Sequence, residues 1–436
     1  MITYSKIGRK GNLGNQLFQI ASTIGLSTTN KQQFAFLDWK YQEYFKNKLP
    51  LLNSDFSSFI NVEEKEYHFH EWNLNTGDYD ISGWLQTEKY FDTALTKHYF
   101  QFSDSLIDRI KNLYSDAFTK RTILLSIRRG DFVNHPDYFQ LSIKYYLNSL
   151  AQFFPDWESC NLIVLSDDIN YCKFHFSFLN NVFFGEELSG IEQLCLGSLC
   201  DDFIISNSTF SWWTAWLGEK SDSKIIRPLK NFDGLKSQEL NDKDYYPERW
   251  IKYNHTEDRI KLENVVFYIK ENKNIEEVAD YISSYFDVGI NLNDNQTEIS
   301  KDSYVLKKDY FLPPFVIYSS YLKLKDPSNT LVINNVVRSF KVSKVLNFKE
   351  FFLQKDFGLF STIFLFSKIK ENLKTQNHKI YLQKNSNAVF ESKESVLYFS
   401  AGKFCSIGAY GYSFRKLLRK KKIELKRAIK KKLPIK

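Results

Sequence analysis

Short apolar segments alternate with amphipathic ones through residues 1–250, and this alternation limits the fold more than any other feature of the sequence. Short apolar runs are typical of buried strands, and an intervening helix allows successive strands to pair in parallel. The pattern therefore predicts an α/β fold with doubly wound parallel sheets. The predicted strands cover residues 2–7, 34–39, 123–127, 161–165, 203–205 and 225–228, and the predicted helices cover residues 17–24, 105–118, 142–153, 190–200 and 212–217.

The strand at residues 123–127 ends in two adjacent arginines, Arg128 and Arg129, followed by Gly130 and Asp131. Two guanidinium groups at the end of a buried strand are costly unless they meet anions. Open α/β sheets bind ligands outside the carboxyl ends of their strands, and the planar guanidinium suits phosphate oxygens. This corner is therefore a predicted phosphate site. In the alternative, one arginine pairs with Asp131 as a structural corner while the other points to water.

Polar groups also follow the next two buried strands. One strand ends in Ser166, Asp167 and Asp168, where the paired carboxylates could accept hydrogen bonds from a base or ribose; in the alternative, Ser166 or Asp167 caps the following helix. The other leads into residues 206–211, where hydroxyl groups either cap a helix or form an anion cradle with the helix dipole assisting. Because parallel strands end at one edge of a sheet, Arg128, Asp167 and Ser208 are predicted to line a single crevice.

A glycine-rich turn lies between the first predicted strand and the first predicted helix, with Gly8, Gly11 and Gly14. Such a turn brings a ligand close to the backbone N–H groups at a helix start. The spacing is not that of the dinucleotide fingerprint, and no Walker lysine follows. A plain tight turn therefore stays open as the alternative.

The composition fits a globular chain of two or three domains, with 436 residues, 43% hydrophobic and 25% charged. No run approaches the roughly 18 apolar residues of a membrane-spanning helix, and the N-terminus lacks an apolar leader, which predicts a cytoplasmic chain. Five cysteines without a CxxC pair indicate reduced thiols rather than zinc or disulfide bonds. His68 and His70 could share a strand face, but no third ligand is near them in the sequence, so no metal site is expected.

Seven short motifs, in order over residues 1–254, together resemble glycosyltransferase family 11, the α-1,2-fucosyltransferases that use GDP-fucose. They are GNLGNQLFQ from Gly11, Gly83 to Gln86 with Tyr90-Phe91, Ile127 to Asp131, Leu141-Ser142 with Tyr145-Tyr146, Ser166-Asp167-Asp168, Ser206 to Trp213, and Tyr246-Pro247 with Trp250. The resemblance implies a GT-B arrangement of two facing Rossmann-like halves. Residues 1–120 would form the acceptor half and residues 121–254 the donor half. It also implies inversion at the anomeric carbon and no metal cofactor.

The same resemblance implies roles for individual residues. Arg128 and Arg129 would face the diphosphate, with Arg128 stabilising the leaving group. Asp131 is the candidate base because it lies on the same loop, and the alternative is that it only orients the arginines. The further donor-site residues are Asp167, for the guanosine, and Asn207, Ser208, Thr209 and Ser211, for the phosphates, whereas Gly14, Asn15, Gln16 and Gln86 would border the reacting sugar and the acceptor. Ser126 stands where the family often has histidine, so any role of that histidine is lost. Glu187 and Glu192 are weaker candidates for the base.

Residues 255–414 are predicted to form a further α/β region, for which two roles stay open. It is either a second, degenerate transferase domain or a scaffold that binds a partner. Its predicted elements are strands at 265–269 and 288–290, a helix at 275–286, and core-forming apolar runs at 331–337 and 359–366.

Residues 415–436 carry twelve basic side chains and one acidic side chain, Glu424. Since the whole chain has a net charge of +8 and this tail has +11, the remainder carries −3. Apolar residues recur on one helical face of the tail, which favours a helix lying on an anionic membrane surface. A solvated tail and nucleic-acid binding are the competing interpretations, and no nucleic-acid partner is expected.

The sequence thus predicts a cytoplasmic, inverting α-1,2-fucosyltransferase that uses GDP-fucose without a metal. Its acceptor would be a galactose-terminated surface-glycan precursor, which could be lipid-linked, and its tail would contact the inner face of the cell membrane. The alternatives are a transferase of the same fold that uses another GDP-sugar and an inactive protein that binds a glycan or nucleotide.

Overall fold

The computed structural model describes residues 1–53, 55–176, 179, 181–270, 275–291, 303–307, 314–324, 378–382 and 397–401. The chain divides into two compact units. The first comprises Met1–Cys172 and Leu179–Asp258, and the second comprises Lys173–Phe178 and Arg259–Lys436.

Strands and helices alternate along residues 2–253. In chain order they are β1 (Ile2–Thr3), α1 (Leu13–Thr29), β2 (Ile60–Glu63), β3 (Tyr79–Ser82), α2 (Thr93–Tyr99), α3 (Asp104–Leu113), β4 (Thr122–Ile127), α4 (Ile143–Phe153), β5 (Asn161–Ser166), α5 (Ile169–Phe176), β6 (Val182–Phe184), α6 (Gly190–Ser198), β7 (Asp202–Ile205), α7 (Thr209–Gly218), β8 (Ile225–Pro228), α8 (Lys236–Glu239) and β9 (Ile251–Tyr253).

These strands form two parallel sheets in the first unit. The larger has the order β6-β5-β4-β7-β8-β9, and the smaller has the order β1-β3-β2. From β4 the chain builds outward through β5 and β6, returns to β7 on the other side of β4, and builds outward again. This is the doubly wound arrangement, whose ligand crevice lies where the strand order reverses. The predicted α/β fold with parallel sheets is confirmed.

Strand β4 sits at the centre of the larger sheet and is buried along its whole length. Its apolar side chains face helices on both sides, as the short apolar run predicts. Ser126 pairs with Leu165 of β5 and with Ile205 of β7, so the three strands end at nearly the same level. The polar residues that follow them therefore meet at one edge of the sheet.

The smaller sheet departs from the prediction. Residues 34–39 make only isolated bridges, between Phe34 and Ile2 and between Phe36 and Leu51, rather than a strand. Strand β1 has only two residues because the Asp80 carboxylate accepts the Ser5 backbone N–H at 2.9 Å, where a neighbouring strand would otherwise pair. The sheet is instead completed by β2 and β3, which lie in a stretch without a clear apolar period.

Several helices differ in extent from their predictions; α1, for example, spans Leu13–Thr29 rather than residues 17–24. Helix α7 begins at Thr209 rather than Trp212, because the Ser208 hydroxyl accepts the Phe210 N–H at 3.2 Å and caps the helix there. Helix α3 stops at Leu113 and is followed by a short 3-10 turn at Ser115–Thr119.

Helices α1 and α7 pack against each other through aromatic side chains. The ring of Phe18 lies 4.5 Å from that of Trp212 and 5.1 Å from that of Trp213, measured between centroids. These residues and Trp216 are buried, so the tryptophans of α7 belong to the core. This packing fixes the starts of the two helices relative to each other.

The described part of the second unit also has a parallel sheet, in the order β11-β10-β12, and a separate antiparallel pair, β13-β14. The elements are β10 (Ile260–Lys270), α9 (Ile275–Tyr285), β11 (Phe286–Asn291), β12 (Ser303–Lys307), α10 (Pro314–Leu324), β13 (His378–Leu382) and β14 (Leu397–Ala401). The predicted strand–helix–strand start of this region is confirmed. The apolar runs at 331–337 and 359–366 and the tail at 415–436 lie outside the described residues. Among the described residues, none of the helices combines the length and apolar character needed to cross a membrane.

Candidate active site

The carboxyl ends of β4, β5 and β7 open into a cavity of about 620 Å³ in the first unit. Arg128, Asp167 and Ser208, which follow these strands, all line the cavity, as the register of the sheet requires. The glycine turn before α1 and the segment after β3 form another part of its wall. The predicted site residues found there are Gly14, Asn15, Gln16, Gln86, Arg128, Asp131, Asp167, Asn207, Ser208, Thr209 and Ser211.

Two carboxylates hold the guanidinium of Arg128. Its Nη2 lies 2.7 Å from Asp131 Oδ1, and its Nη1 lies 3.3 Å from Asp167 Oδ2. The ion pair between Arg128 and Asp131, which the structural alternative predicted, is thus present. Both residues nevertheless line the cavity. Among the described residues, the buried Nε of Arg128 has no acceptor. An unsatisfied donor of this kind is costly, and an anionic ligand oxygen would satisfy it.

Arg129 does not line the cavity. Consecutive side chains on extended backbone point to opposite sides, and Arg129 is buried on the side away from Arg128. Its guanidinium carbon lies 3.4 Å from the centroid of the Tyr171 ring, and its Nε lies 3.4 Å from Asp168 Oδ2. The alternative that this side chain points to water is therefore wrong, whereas a contact between Arg129 and the diphosphate stays a prediction.

Asp167 holds the arginine loop in place. Its Oδ1 accepts the Arg129 backbone N–H at 2.8 Å. Its Oδ2 lies so close to Gly130 that a Cβ there would approach it to 2.0 Å, which is why the loop needs glycine. At the start of α5, the Ser166 hydroxyl accepts the Asp168 N–H at 3.0 Å, and Asp168 Oδ1, rather than Asp167, accepts the Tyr171 N–H at 3.3 Å. A contact between Asp167 and guanosine stays a prediction.

Asp131 and Asp167 are the carboxylates in the cavity lining. Glu187 and Glu192, the weaker candidates for the base, do not line it. Glu192 instead accepts hydrogen bonds from the backbone and hydroxyl of Ser189, both at 2.7 Å, and so caps α6. It also pairs with Arg109. The role of Asp131 as the base stays a prediction.

Two helices begin at the cavity. Gly14, in the first turn of α1, lies directly against the start of α7. A Cβ at this position would lie 2.6 Å from the Thr209 carbonyl carbon and 2.7 Å from the Phe210 backbone nitrogen. Helix N-termini carry partial positive charge and unpaired N–H groups, which favour anions. The starts of α1 and α7 therefore meet in the cavity that Arg128 also lines, an arrangement that favours an anionic ligand.

Some predicted phosphate donors are already used by the protein. The Asn207 amide nitrogen donates to the carbonyl oxygens of Phe139, at 3.0 Å, and Asn231, at 2.9 Å. Its side-chain N–H groups thus position the loop in this structure, and a contact between Asn207 and phosphate stays a prediction. Ser208 and Thr209 remain at the start of α7.

Ser211 belongs to a buried chain of hydroxyl groups. Its Oγ lies 2.7 Å from Ser126 Oγ and 2.7 Å from Ser206 Oγ. Ser126, which stands where the family often has histidine, is thus hydrogen-bonded to Ser211, and both residues line the cavity.

Gln16 and Gln86, both predicted, brace the wall near α1. Gln16 donates to the Gly11 carbonyl oxygen at 3.0 Å and accepts from the Trp39 indole nitrogen at 2.9 Å. Gln86 donates to Asn15 Oδ1 at 2.7 Å. Their amides therefore fix the shape of the glycine turn.

Tyr67 and Asn231 extend this wall and were missed by the sequence analysis. The Tyr67 hydroxyl donates to Gln86 Oε1 at 2.6 Å and accepts from Asn231 Nδ2 at 3.2 Å. Because the Asn231 carbonyl oxygen accepts from Asn207, the hydrogen bonds run without a break from Asn15 to the loop after β7. Burial raises the pKa of Tyr67 well above its usual value, so this hydroxyl keeps its proton. Neither residue lies in a recognisable motif.

An aromatic group forms a further part of the wall. The rings of Phe132 and Tyr138 stack with centroids 4.0 Å apart, and Phe232 lies 5.9 Å from Tyr138. Lys236 places its Nζ 4.7 Å from the centroid of Tyr138 and 4.5 Å from that of Phe232. A planar base or an apolar ligand face fits such a surface.

In the part of the chain that the structure describes, no three His, Cys, Asp or Glu side chains lie close enough to hold a metal ion. His68 and His70 are among the residues that form no such group. The Nδ1 of His70 lies 3.0 Å from the Tyr90 hydroxyl.

Comparison with known families matches glycosyl transferase family 11 to residues 2–254. Among curated proteins, the chain is 27% identical over 281 residues to the alpha-1,2-colitosyltransferase of Escherichia coli, covering 56% of this chain and 96% of that protein. It is 25% identical over 300 residues to the Escherichia coli O-antigen biosynthesis glycosyltransferase WbnK, covering 53% and 95%. It is also 25% identical over 304 residues to the galactoside 2-alpha-L-fucosyltransferase of Caenorhabditis elegans, covering 56% and 74%.

Among solved structures, the fucosyltransferase NodZ from Bradyrhizobium matches 49% of this chain and 91% of its own chain, at 11% identity and a TM-score of 0.35. A likeness this weak does not define the fold, which rests on the sheets described above. The family match confirms the resemblance drawn from the seven motifs.

Proposed function

Because the chain belongs to glycosyltransferase family 11, we propose that it transfers L-fucose from GDP-fucose to the 2-OH of a terminal galactoside in a surface-glycan precursor. One observation carries the proposal: Arg128 and the starts of α1 and α7 converge on the same cavity. The names of two relatives support the linkage, since one transfers colitose in an α-1,2 linkage and the other fucosylates position 2 of a galactoside. The O-antigen relative supports a surface-glycan acceptor.

In the proposed reaction, the acceptor 2-OH attacks C1 of fucose while the bond from C1 to the β-phosphate oxygen breaks. Attack from the opposite face inverts the anomeric centre. The electron pair of the broken bond leaves with GDP, and the hydroxyl proton passes to a base. Arg128 and the helix starts place positive charge where the diphosphate gains negative charge, which stabilises the transition state by about 3 kcal/mol per well-placed donor.

We further propose that this positive charge allows turnover without a divalent metal ion. The proposed base is Asp131, which borders the cavity beside the leaving-group arginine. Asp167 is less suited to this role because both of its oxygens are engaged, Oδ1 by the Arg129 N–H and Oδ2 by the Arg128 guanidinium, whereas Asp131 contacts Arg128 through Oδ1 alone.

The two sheets of the first unit contribute different residues to the cavity, which supports separate roles in donor binding and acceptor binding. The phosphate-facing groups come from the loops of the larger sheet, and Asn15 and Gln86 come from the smaller sheet and α1. We propose that these are the donor and acceptor halves of a GT-B arrangement, divided near residue 120.

The basic tail at 415–436, outside the described residues, supports a separate proposal from its charge pattern alone. It would bring the chain to the anionic cytoplasmic face of a membrane, where a lipid-linked acceptor would be found.

A donor assay tests the proposed function. With GDP-fucose, methyl β-D-galactoside and EDTA, the full chain should release GDP and form a fucosyl-galactoside, whose linkage and anomeric configuration NMR would establish. GDP-mannose is the matched control donor. A colitosyl donor tests the second candidate reaction, which the colitosyltransferase relative favours. GDP binding without turnover of any donor would contradict an enzymatic role and indicate a binding protein.

A further inference from the structure

Trp84 differs from the other tryptophans of the chain because its indole is 38% exposed and lines the cavity. Of the eight tryptophans, the other seven are at most 8% exposed; they are Trp39, Trp72, Trp157, Trp212, Trp213, Trp216 and Trp250. A large apolar side chain left open inside a polar cavity is typical of a ligand-binding surface.

The backbone around Trp84 is held rigidly. The Glu64 carboxylate accepts the Trp84 N–H at 2.6 Å and the Leu85 N–H at 3.0 Å. Leu85 has a left-handed backbone with φ of 55°, which is strained for a leucine. A Cβ at Gly83 would approach the Glu64 Cβ to 2.4 Å, so the segment fits closely around the carboxylate.

This arrangement is costly, because burial raises the pKa of Glu64 to about 7. A partly buried carboxylate, a strained leucine and an exposed indole within one short segment are features that occur together at functional sites. They fix the direction in which Trp84 projects.

The surroundings of Trp84 are polar and suited to hydroxyl groups. Lys10 places its Nζ 4.8 Å from the centroid of the indole ring. Gln86, two residues further on, bonds to Asn15, and both side chains line the cavity. The phosphate-facing Arg128 comes instead from the larger sheet.

We propose that the Trp84 indole is a stacking platform for a pyranose ring of the acceptor glycan, an inference that rests on the proposed function. A pyranose presents an apolar C–H face and a polar rim of hydroxyl groups. The C–H face would pack on the electron-rich face of the indole, and the rim would reach the amides of Asn15 and Gln86. Trp84 would therefore contribute to acceptor binding and not to donor binding.

Fluorescence quenching tests this platform directly, because acrylamide reaches exposed indoles first and Trp84 is the exposed one among the eight. In the full chain, methyl β-D-galactoside should reduce the quenching, and GDP alone should not. The Trp84→Phe variant should lack the component that the sugar protects. Protection by GDP and not by the galactoside would overturn the proposal and assign the indole to the nucleotide.

Kinetics supply the second measurement. Trp84→Ala should raise the acceptor KM about tenfold and leave the donor KM unchanged, whereas Trp84→Phe, which keeps an aromatic face, should raise it less. Leu113→Ala is the matched control, since Leu113 is an exposed apolar side chain that does not line the cavity. An unchanged acceptor KM in Trp84→Ala, with turnover intact, would overturn the stacking role of Trp84 and leave the proposed function standing. If the wild-type chain turns over no donor, the proposed function fails, and the quenching result still decides whether Trp84 binds the sugar.

Discussion

Replacing Arg128 with alanine should lower kcat about a thousandfold. Loss of one preorganised donor to a developing anion costs about 3–4 kcal/mol of transition-state stabilisation, and Arg128 also carries a full charge. The variant further leaves Asp131 and Asp167 at the cavity without the cation between them, which repels a diphosphate. Steady-state kinetics with saturating donor and acceptor measure the effect.

Two comparisons make this result specific. Arg128→Lys keeps the charge but loses the planar fork, so its kcat should fall between those of the wild type and the alanine variant. Arg129→Lys should retain much more activity than Arg128→Lys, since Arg129 lies against Tyr171 outside the cavity. A wild-type kcat in Arg128→Ala would remove this residue from the reaction.

Gly14→Ala should lower turnover about a hundredfold and destabilise the first unit by about 1–3 kcal/mol. The added methyl group meets backbone atoms of Thr209 and Phe210, which cannot rotate aside as a side chain would. Helix α7 cannot simply retreat, because Trp212 packs on Phe18 of α1. The two helix starts must therefore separate, and the anion site opens.

Gly190→Ala is the matched control for the change in stability alone, because Gly190 also lines the cavity. Gly190 also begins a helix, α6, but a Cβ there would meet no atom within 4 Å. Urea unfolding followed by tryptophan fluorescence gives the stability of the first unit, which contains all eight tryptophans. Equal stability of the two alanine variants, with wild-type turnover in Gly14→Ala, would show that α1 and α7 do not need this close approach.

The central strands of the larger sheet, β4, β5 and β7, could be predicted because they are short, apolar and buried. Once β4, β5 and β7 are parallel neighbours, their register alone brings Arg128, Asp167 and Ser208 to one edge. Arg129, one residue further on, lies outside the cavity lining, because the side to which a residue points after a strand depends on the local backbone and not on its type.

The smaller sheet and the wall around Tyr67 could not be predicted in the same way. Strand β2 is largely exposed and has no clean alternation, and β1 has only two residues. Tyr67 and Asn231 are 164 positions apart and meet only in the folded chain, so no local pattern marks them. The tryptophans of α7 were assigned to the core correctly, but the sequence did not distinguish the exposed Trp84 from them.

Calorimetric titration of the full chain with guanosine, GMP and GDP, all in EDTA, measures most directly whether the cavity binds a diphosphate. If Arg128 and the two helix starts hold the phosphates, GDP should bind at least about tenfold more tightly than GMP, and that gain should disappear in Arg128→Ala. Equal affinity for GDP and guanosine in the wild-type chain would contradict a phosphate site at this corner.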